Sequence, residues 1–293
     1  MRAQEHSPSL DATINTRRLE SGSMSTALKL EVLESLPSTQ SSEHPPLVFV
    51  HGSYCGAWVW AERFMPFFSE AGYECFAVSL RGHGESESGA RSIHEFGVED
   101  YVSDVVSVID RMKRPPVLVG HSMGGMIVQK AMEVRETAGV ILLASVPPEG
   151  LSVPAMHMML AHPDLMAQLS LGQVFGMQWV DPKLWHRFLF SPEMPWEEIK
   201  PYLPRLSQES MSAAFELMMR HCPRPRSGQF PPMLVLGGTD DAFVPELALR
   251  QTARAYEADL EILPKVPHVM MLDSTCWREV AEMLAAWLKE KKF

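Results

Sequence analysis

Residues 116–128 read PVLVGHSMGGMIV. From Pro116 to Gly120 the residues are β-branched and aliphatic, as in a buried strand, and from Met123 to Val134 the pattern is helical. Between them, Ser122 has glycine at both second neighbours, Gly120 and Gly124. A serine so placed implies a turn tight enough that only hydrogen atoms fit beside it, with strain pointing its hydroxyl out of the top of a sheet. The serine is either part of an ordinary strand-to-helix turn or a nucleophile, and residues far along the chain decide which.

Outward from this turn the chain alternates. Toward the N-terminus, Leu28–Leu33 predicts an edge strand, Leu47–Val50 a short apolar strand ending at His51-Gly52, and about 60–71 a helix closed by Gly72. The strand ECFAVSL, the loop Arg81–Ser86 and a helix over about 98–112 follow, with Val102, Val105, Val106 and Ile109 on one face. Toward the C-terminus come strands at 139–145, 233–237 and 260–263 and helices at 246–256 and 277–289. Apolar strands alternating with amphipathic helices predict an α/β fold, a mostly parallel sheet covered on both faces. From 146 to 232 the alternation stops, and the Met-, Pro- and Trp-rich sequence there is too long for a loop. It is expected to be a helical cap over 148–222, inserted between core segments 27–147 and 223–293.

At 293 residues, 46% hydrophobic and 21% charged, the chain suits one large α/β domain with an insertion. A formal net charge of −10 argues against nucleic acid or an anionic membrane surface as a partner. No apolar run reaches the length of a membrane span. Cys55, Cys75, Cys222 and Cys276 are widely spaced, without metal-ligand spacing, and a reduced compartment is the simpler reading. Residues 1–26 are polar and are expected to be disordered; they contain no secretory hydrophobic stretch, and Glu5, Asp11 and Glu20 weaken a transit-peptide reading. The expectation is an intracellular, soluble, cytoplasmic or organellar protein, a monomer or weak homodimer.

Serine is a weak nucleophile at its free pKa, so Ser122 needs a base within reach and an acid to orient that base. Residues 233–245, MLVLGGTDDAFVP, are a strand breaking into a turn with two carboxylates at its tip. Residues 260–273, LEILPKVPHVMMLD, are a strand followed by a loop holding His268, the only histidine after those acids. Asp240 and Asp241 compete for the orienting role, and Glu149, after the strand GVILLAS, is a third possibility.

With His51-Gly52, Arg81-Gly82-His83-Gly84-x-Ser86, the Ser122 turn, Gly238-x-x-Asp241-x-x-x-Pro245 and His268 in this order, the chain resembles the α/β-hydrolase superfamily in its serine-nucleophile, cap-bearing branch. The resemblance extends over roughly residues 28–293. It implies Ser122 as nucleophile, His268 as general base and then acid, Asp241 as the orienting carboxylate, and backbone N–H groups of Ser53 and Met123 as the oxyanion hole. It implies no metal and no organic cofactor. His51, His83 and His121 read as structural. HGSYCGAWVW, residues 51–60, is similar to a segment of plant methylesterases and hydroxynitrile lyases, although a loop does not transfer a reaction. Ser79 stands where the family usually has an aspartate, which predicts a local change in loop anchoring.

The cap's methionines, with Trp179, Trp185 and Trp196, read either as packing of a small helical core or as the wall of an adaptable apolar pocket. Met158, Met159 and Met166 are the candidate pocket residues. No basic cluster in the cap suggests a phosphate or carboxylate clamp, although Arg187, Arg205 and Arg220 keep one open. The expected activity is hydrolysis of a small apolar carboxylic ester through an acyl-enzyme. The alternatives are cleavage of a C–C bond or an amide by the same residues, or a slow-turnover small-molecule receptor on the same fold.

Overall fold

Short apolar strands with side chains buried on both faces need helices above and below them. The computed structural model describes residues 14–21, 28–38, 43–176 and 179–293. Within these, one eight-stranded sheet runs in the order β1 (Ile14–Ser21), β2 (Leu28–Ser35), β4 (Cys75–Val78), β3 (Leu47–Val50), β5 (Val117–His121), β6 (Gly139–Leu143), β7 (Met233–Gly238), β8 (Asp259–Leu263). β3 to β8 are parallel, while β2 is antiparallel to both β4 and β1.

Alternate residues of each central strand enter opposite cores. Phe49, Val119, Ile141 and Leu236 pack with α1 (Trp58–Ala61), α2 (Phe64–Glu70) and α11 (Trp277–Glu290). Val48, Leu118, Leu142 and Val235 pack with α3 (Val98–Ile109), α4 (Met123–Val134) and α10 (Glu246–Tyr256). Strand order reverses between β3 and β5, whose pairing brings Val50 opposite Gly120. Open α/β sheets hold their ligands beyond the strand ends at such a switch point.

Two expectations are corrected. Residues 14–21, within the segment read as disordered, form β1 along the whole of β2, so Leu28–Leu33 is not the edge. Polar composition hid a strand that needs only one neighbour: Asn15–Arg18 are exposed, and Arg17 pairs with Glu34 at 3.0 Å. The rest of that N-terminal segment lies outside the described residues. The single helix expected over about 60–71 is two, because Pro66 lacks an N–H and belongs in a helix's first turn, which restarts at Phe64.

Between β6 and β7 lie α5 (Ser152–Ala161), α6 (Pro163–Phe175), α7 (Pro182–Leu189), α8 (Trp196–Ile199) and α9 (Met211–Glu216). Met158, Leu165 and Phe188 form a small core of their own against Ala242 of the main body.

Candidate active site

β5 drives straight into the turn that the sequence marks. Ser122 has φ 52° and ψ −118°, a region that L-residues avoid. The turn is held from both sides: Ser122 N–H donates to the Leu143 carbonyl at 3.1 Å, and its own carbonyl accepts from Gly125 and Val146 N–H at 3.0 Å. A Cβ on Gly120 would stand 2.5 Å from the Gly124 carbonyl oxygen, and one on Gly124 would run into the Val50 carbonyl. Glycine at both places therefore lets the first turn of α4 press directly on β3 and β5.

The loop after β7 supplies the acid. Asp241, buried, accepts with Oδ1 from Phe243 N–H at 2.7 Å and Val244 N–H at 2.9 Å, which fixes the carboxylate and aims Oδ2 at His268 Nδ1, 2.8 Å away. With a carboxylate accepting at Nδ1, the imidazole proton sits there and Nε2 is left with its lone pair. The Phe243 and His121 rings hold the imidazole, their centroids 4.6 and 4.8 Å from its own. Asp240, exposed, takes a hydrogen bond from Thr239 Oγ1 at 2.8 Å instead. Glu149 lies toward Tyr256, whose hydroxyl pKa its charge helps to raise after the larger effect of burial.

Ser53 and Met123 follow the ends of β3 and β5 and face the same cavity as Ser122 and His268, with Ser53 Oγ 3.5 Å from Met123 Sδ. The histidines around them are struts. His51 Nδ1–H donates to the Gly52 carbonyl at 2.8 Å and Nε2 accepts from Leu80 N–H at 3.0 Å, tying the loops after β3 and β4. Burial above all, then His83, lowers the His51 pKa to about 3. His121 Nε2–H donates to the His268 carbonyl at 3.0 Å; burial and then the His268 charge hold its pKa well below the usual 6.5. Both rings are thus neutral, and their protons are committed to the backbone. Where the aspartate is missing, Ser79 Oγ donates to Glu31 Oε2 at 2.5 Å and accepts from Ala57 N–H at 2.8 Å, so β2 now anchors this loop.

The cavity has a volume of about 200 Å³ and is walled by apolar side chains from the core and the inserted helices, among them Met158, Leu169, Trp185, Leu217 and Phe243. The three expected methionines divide. Met158 lines the cavity, Met166 packs on the small core around Leu165 and Phe188, and Met159 points outward, 55% exposed. Adjacent residues on a helix point about 100° apart, so Met158 and Met159 could not both face inward. Cys55 also lines the cavity, but burial, then Glu209, pushes its thiol pKa up to about 12, which makes it no rival nucleophile. All four cysteines are free. Among the described residues no three His, Cys, Asp or Glu side chains converge as a metal site. A more open cleft of about 520 Å³ beside residues 224–232 contains neither Ser122, Asp241 nor His268.

A profile described as the alpha/beta hydrolase family matches residues 47–283. The chain belongs to this family. Polyneuridine aldehyde esterase of Rauvolfia serpentina is 32% identical over 122 residues, which are 39% of this chain and 44% of that one, so the match spans less than half of the relative. Among solved structures, a bromoperoxidase of Bacillus anthracis superposes with TM-score 0.72 at 18% identity, covering 93% of this chain and 100% of that one. An esterase of Exiguobacterium antarcticum gives TM-score 0.72 at 19% identity, covering 93% and 98%. At these identities the two structures speak for the fold alone.

One feature of this alpha/beta hydrolase escaped the sequence reading. Glu209, just before α9, reaches the cavity wall 2% exposed. Its Oε1 accepts from Tyr101 Oη at 3.0 Å and from Ser210 N–H at 2.7 Å, and its Oε2 lies 3.3 Å from His83 Nε2, too misaligned for a hydrogen bond. Burial is the largest influence and opposes both charges, but the attraction between the two, joined by the Ser210 and Tyr101 hydrogen bonds to Glu209 and by the Arg81 carbonyl and Asp104 at His83, outweighs it: the Glu209 pKa is lowered and the His83 pKa raised. A buried ion pair thus joins the inserted helices to the Arg81–Ser86 loop. No local pattern in the sequence distinguishes this glutamate from an exposed one.

Among the described residues no helix is long and apolar enough to cross a membrane.

Proposed function

We propose that this alpha/beta hydrolase is a carboxylic-ester hydrolase of apolar substrates, working through Ser122, His268 and Asp241. The observation that carries the reading is the 2.8 Å contact between Asp241 and His268 beside a strained serine in one apolar cavity. In this mechanism Ser122 Oγ attacks the ester carbonyl carbon while its proton passes to His268 Nε2. The oxyanion is met by the N–H groups of Ser53 and Met123, each such donor being worth about 3 kcal/mol. The C–O bond then breaks and His268 protonates the departing alcohol. Water, giving its proton to the same nitrogen, attacks the acyl carbon; the acid leaves and Ser122 regains its proton.

A fluorophosphonate probe should label Ser122, and p-nitrophenyl esters of rising chain length should be turned over with kcat/KM climbing roughly three- to fourfold per methylene until the cavity is full. Undiminished labelling of Ser122→Ala would refute the nucleophile. A steady fall from acetate upward would refute the apolar substrate.

A further inference from the structure

The inserted helices are apolar on the outside as well. Among the described residues, the large apolar side chains that stand exposed are concentrated there, with Leu36, Val134 and Leu247 the exceptions. α5 presents Met156, Met159 and Leu160, the last 76% exposed, at the spacing of one helix face. α6 ends on exposed Val174 and Phe175, Trp179 follows, and α9 presents Met211 and Phe215, the latter 71% exposed. These helices adjoin. α5 and α6 meet at His162, Leu151 N–H donates to the Leu217 carbonyl at 2.9 Å, and Gln173 Nε2 donates to the Glu209 carbonyl at 3.0 Å. The inner side of the same layer, through Leu151, Pro154, Met158, Leu169 and Leu217, is cavity wall.

Water is a poor solvent for helices apolar on two faces, and an exposed patch of this kind marks a contact surface. Charge indicates what covers it. Across residues 151–180 Asp164 is the one Asp, Glu, Lys or Arg, and Arg187 Nη1 donates to it at 2.8 Å; of the two histidines there, His157 and His162, both half-buried, burial and then His157 lower the His162 pKa. Glu216, on α9, accepts from Val98 N–H at 2.7 Å. A face without a cluster of basic side chains offers an anionic membrane nothing, and the protein's net charge of −10 opposes it. A second copy would bring the same −10 and add repulsion. A zwitterionic surface carries no such penalty, and methionines adapt to a fluid partner that has no fixed shape.

We propose that the outer face of α5, α6 and α9 docks on a zwitterionic lipid bilayer, so that an ester-bearing lipid can pass from the bilayer through this layer to Ser122. The docking stands by itself; only the identity of what passes inward rests on the ester-hydrolase reading.

The test is flotation of the full chain with phosphatidylcholine vesicles, beside a triple variant carrying Leu160→Ser, Phe175→Ser and Phe215→Ser. None of the three side chains lines the cavity, so probe labelling of Ser122 and turnover of p-nitrophenyl acetate should match the unaltered protein. Partitioning should fall about a hundredfold in the triple variant and by an intermediate amount in Leu160→Ser alone. Failure of the unaltered protein to float, or equal flotation of the triple variant, overturns the proposal. So does a concentration-dependent dimer that the triple variant abolishes in the absence of vesicle binding, which would give the face to a second copy. Flotation without labelling or turnover would uphold the docking and sink the hydrolase reading.

Discussion

Replacing Glu209 by leucine removes a buried charge and leaves three groups without their partner: the Tyr101 hydroxyl, the Ser210 N–H and the His83 ring. Both members of the pair are almost wholly buried, Glu209 at 2% and His83 at 0% exposed, so solvent screening does not discount the loss. Breaking such a pair from one side costs about 3–5 kcal/mol. At about 2–4 °C per kcal/mol in a large domain, Glu209→Leu should lower Tm by about 6–20 °C. Glu209→Gln, which can still accept from Tyr101 and Ser210, should lose less. Replacing both residues by apolar ones, His83→Phe with Glu209→Leu, should recover part of the loss.

The pH dependence separates the ion pair from plain packing. Glu209 has a lowered pKa, so its contribution is present above its ordinary value of 4.5 and lost as pH falls through the folded value. His83 has a raised pKa, so its contribution is complete below 6.5 and lost as pH rises through the folded value. His51, Tyr101 and Asp104 also face the His83 ring, and of these Asp104 adds to the upward shift. The stability gap between the wild-type chain and Glu209→Leu should therefore be widest between about pH 4.5 and 6.5 and narrow as pH rises through the folded His83 value. Urea melts at a series of pH values from about 6 upward measure it. A gap that stays constant across that range, or one below about 1 kcal/mol, means that the pair is not ionised as argued.

Three further outcomes follow from the site. Asp241→Asn should cut kcat by about four orders of magnitude through loss of the correct His268 tautomer, and Asp240→Asn should leave it nearly unchanged; steady-state kinetics that rank them the other way would move the acid by one residue. Gly124→Ala should destabilise the fold by about 1–3 kcal/mol in denaturant melts, because its Cβ meets the backbone carbonyls of Val50 and His51, which cannot swing aside. Met158→Glu should depress kcat/KM for long-chain esters while Met159→Glu spares it; equal losses would contradict the inward and outward assignment.

The core was legible because its constraints are local. Gly120 is dictated by the Gly124 carbonyl four residues on, and the Asp241 turn by two N–H groups two and three residues on. Patterns of that range survive in a linear sequence. The strand at 14–21 was illegible for a complementary reason: as an edge strand with one neighbour and mostly exposed side chains, it needs no apolar alternation, and its pairing with β2 is invisible until β2 is in place. Glu209 is the same case at longer range, since its partners His83 and Tyr101 lie more than a hundred residues upstream.

That difference in range also divides what the sequence says about chemistry from what it says about substrate. Ser122, Asp241, His268, Ser53 and Met123 all lie a few residues past the ends of strands of one sheet, so their relative positions are set largely by strand pairing and change little with the rest of the chain. The wall opposite them is built by helices whose inward residues alternate with outward ones of the same kind, Met158 beside Met159 and Leu217 beside Met218. Composition cannot sort such neighbours; only the helix rotation can. The rotation is fixed in turn by contacts such as Gln173 with Glu209 and Tyr54, and Leu151 with Leu217, which join the layer to itself and to the core. A substitution that loosens Glu209 should therefore alter which esters are preferred before it alters the attack on the carbonyl.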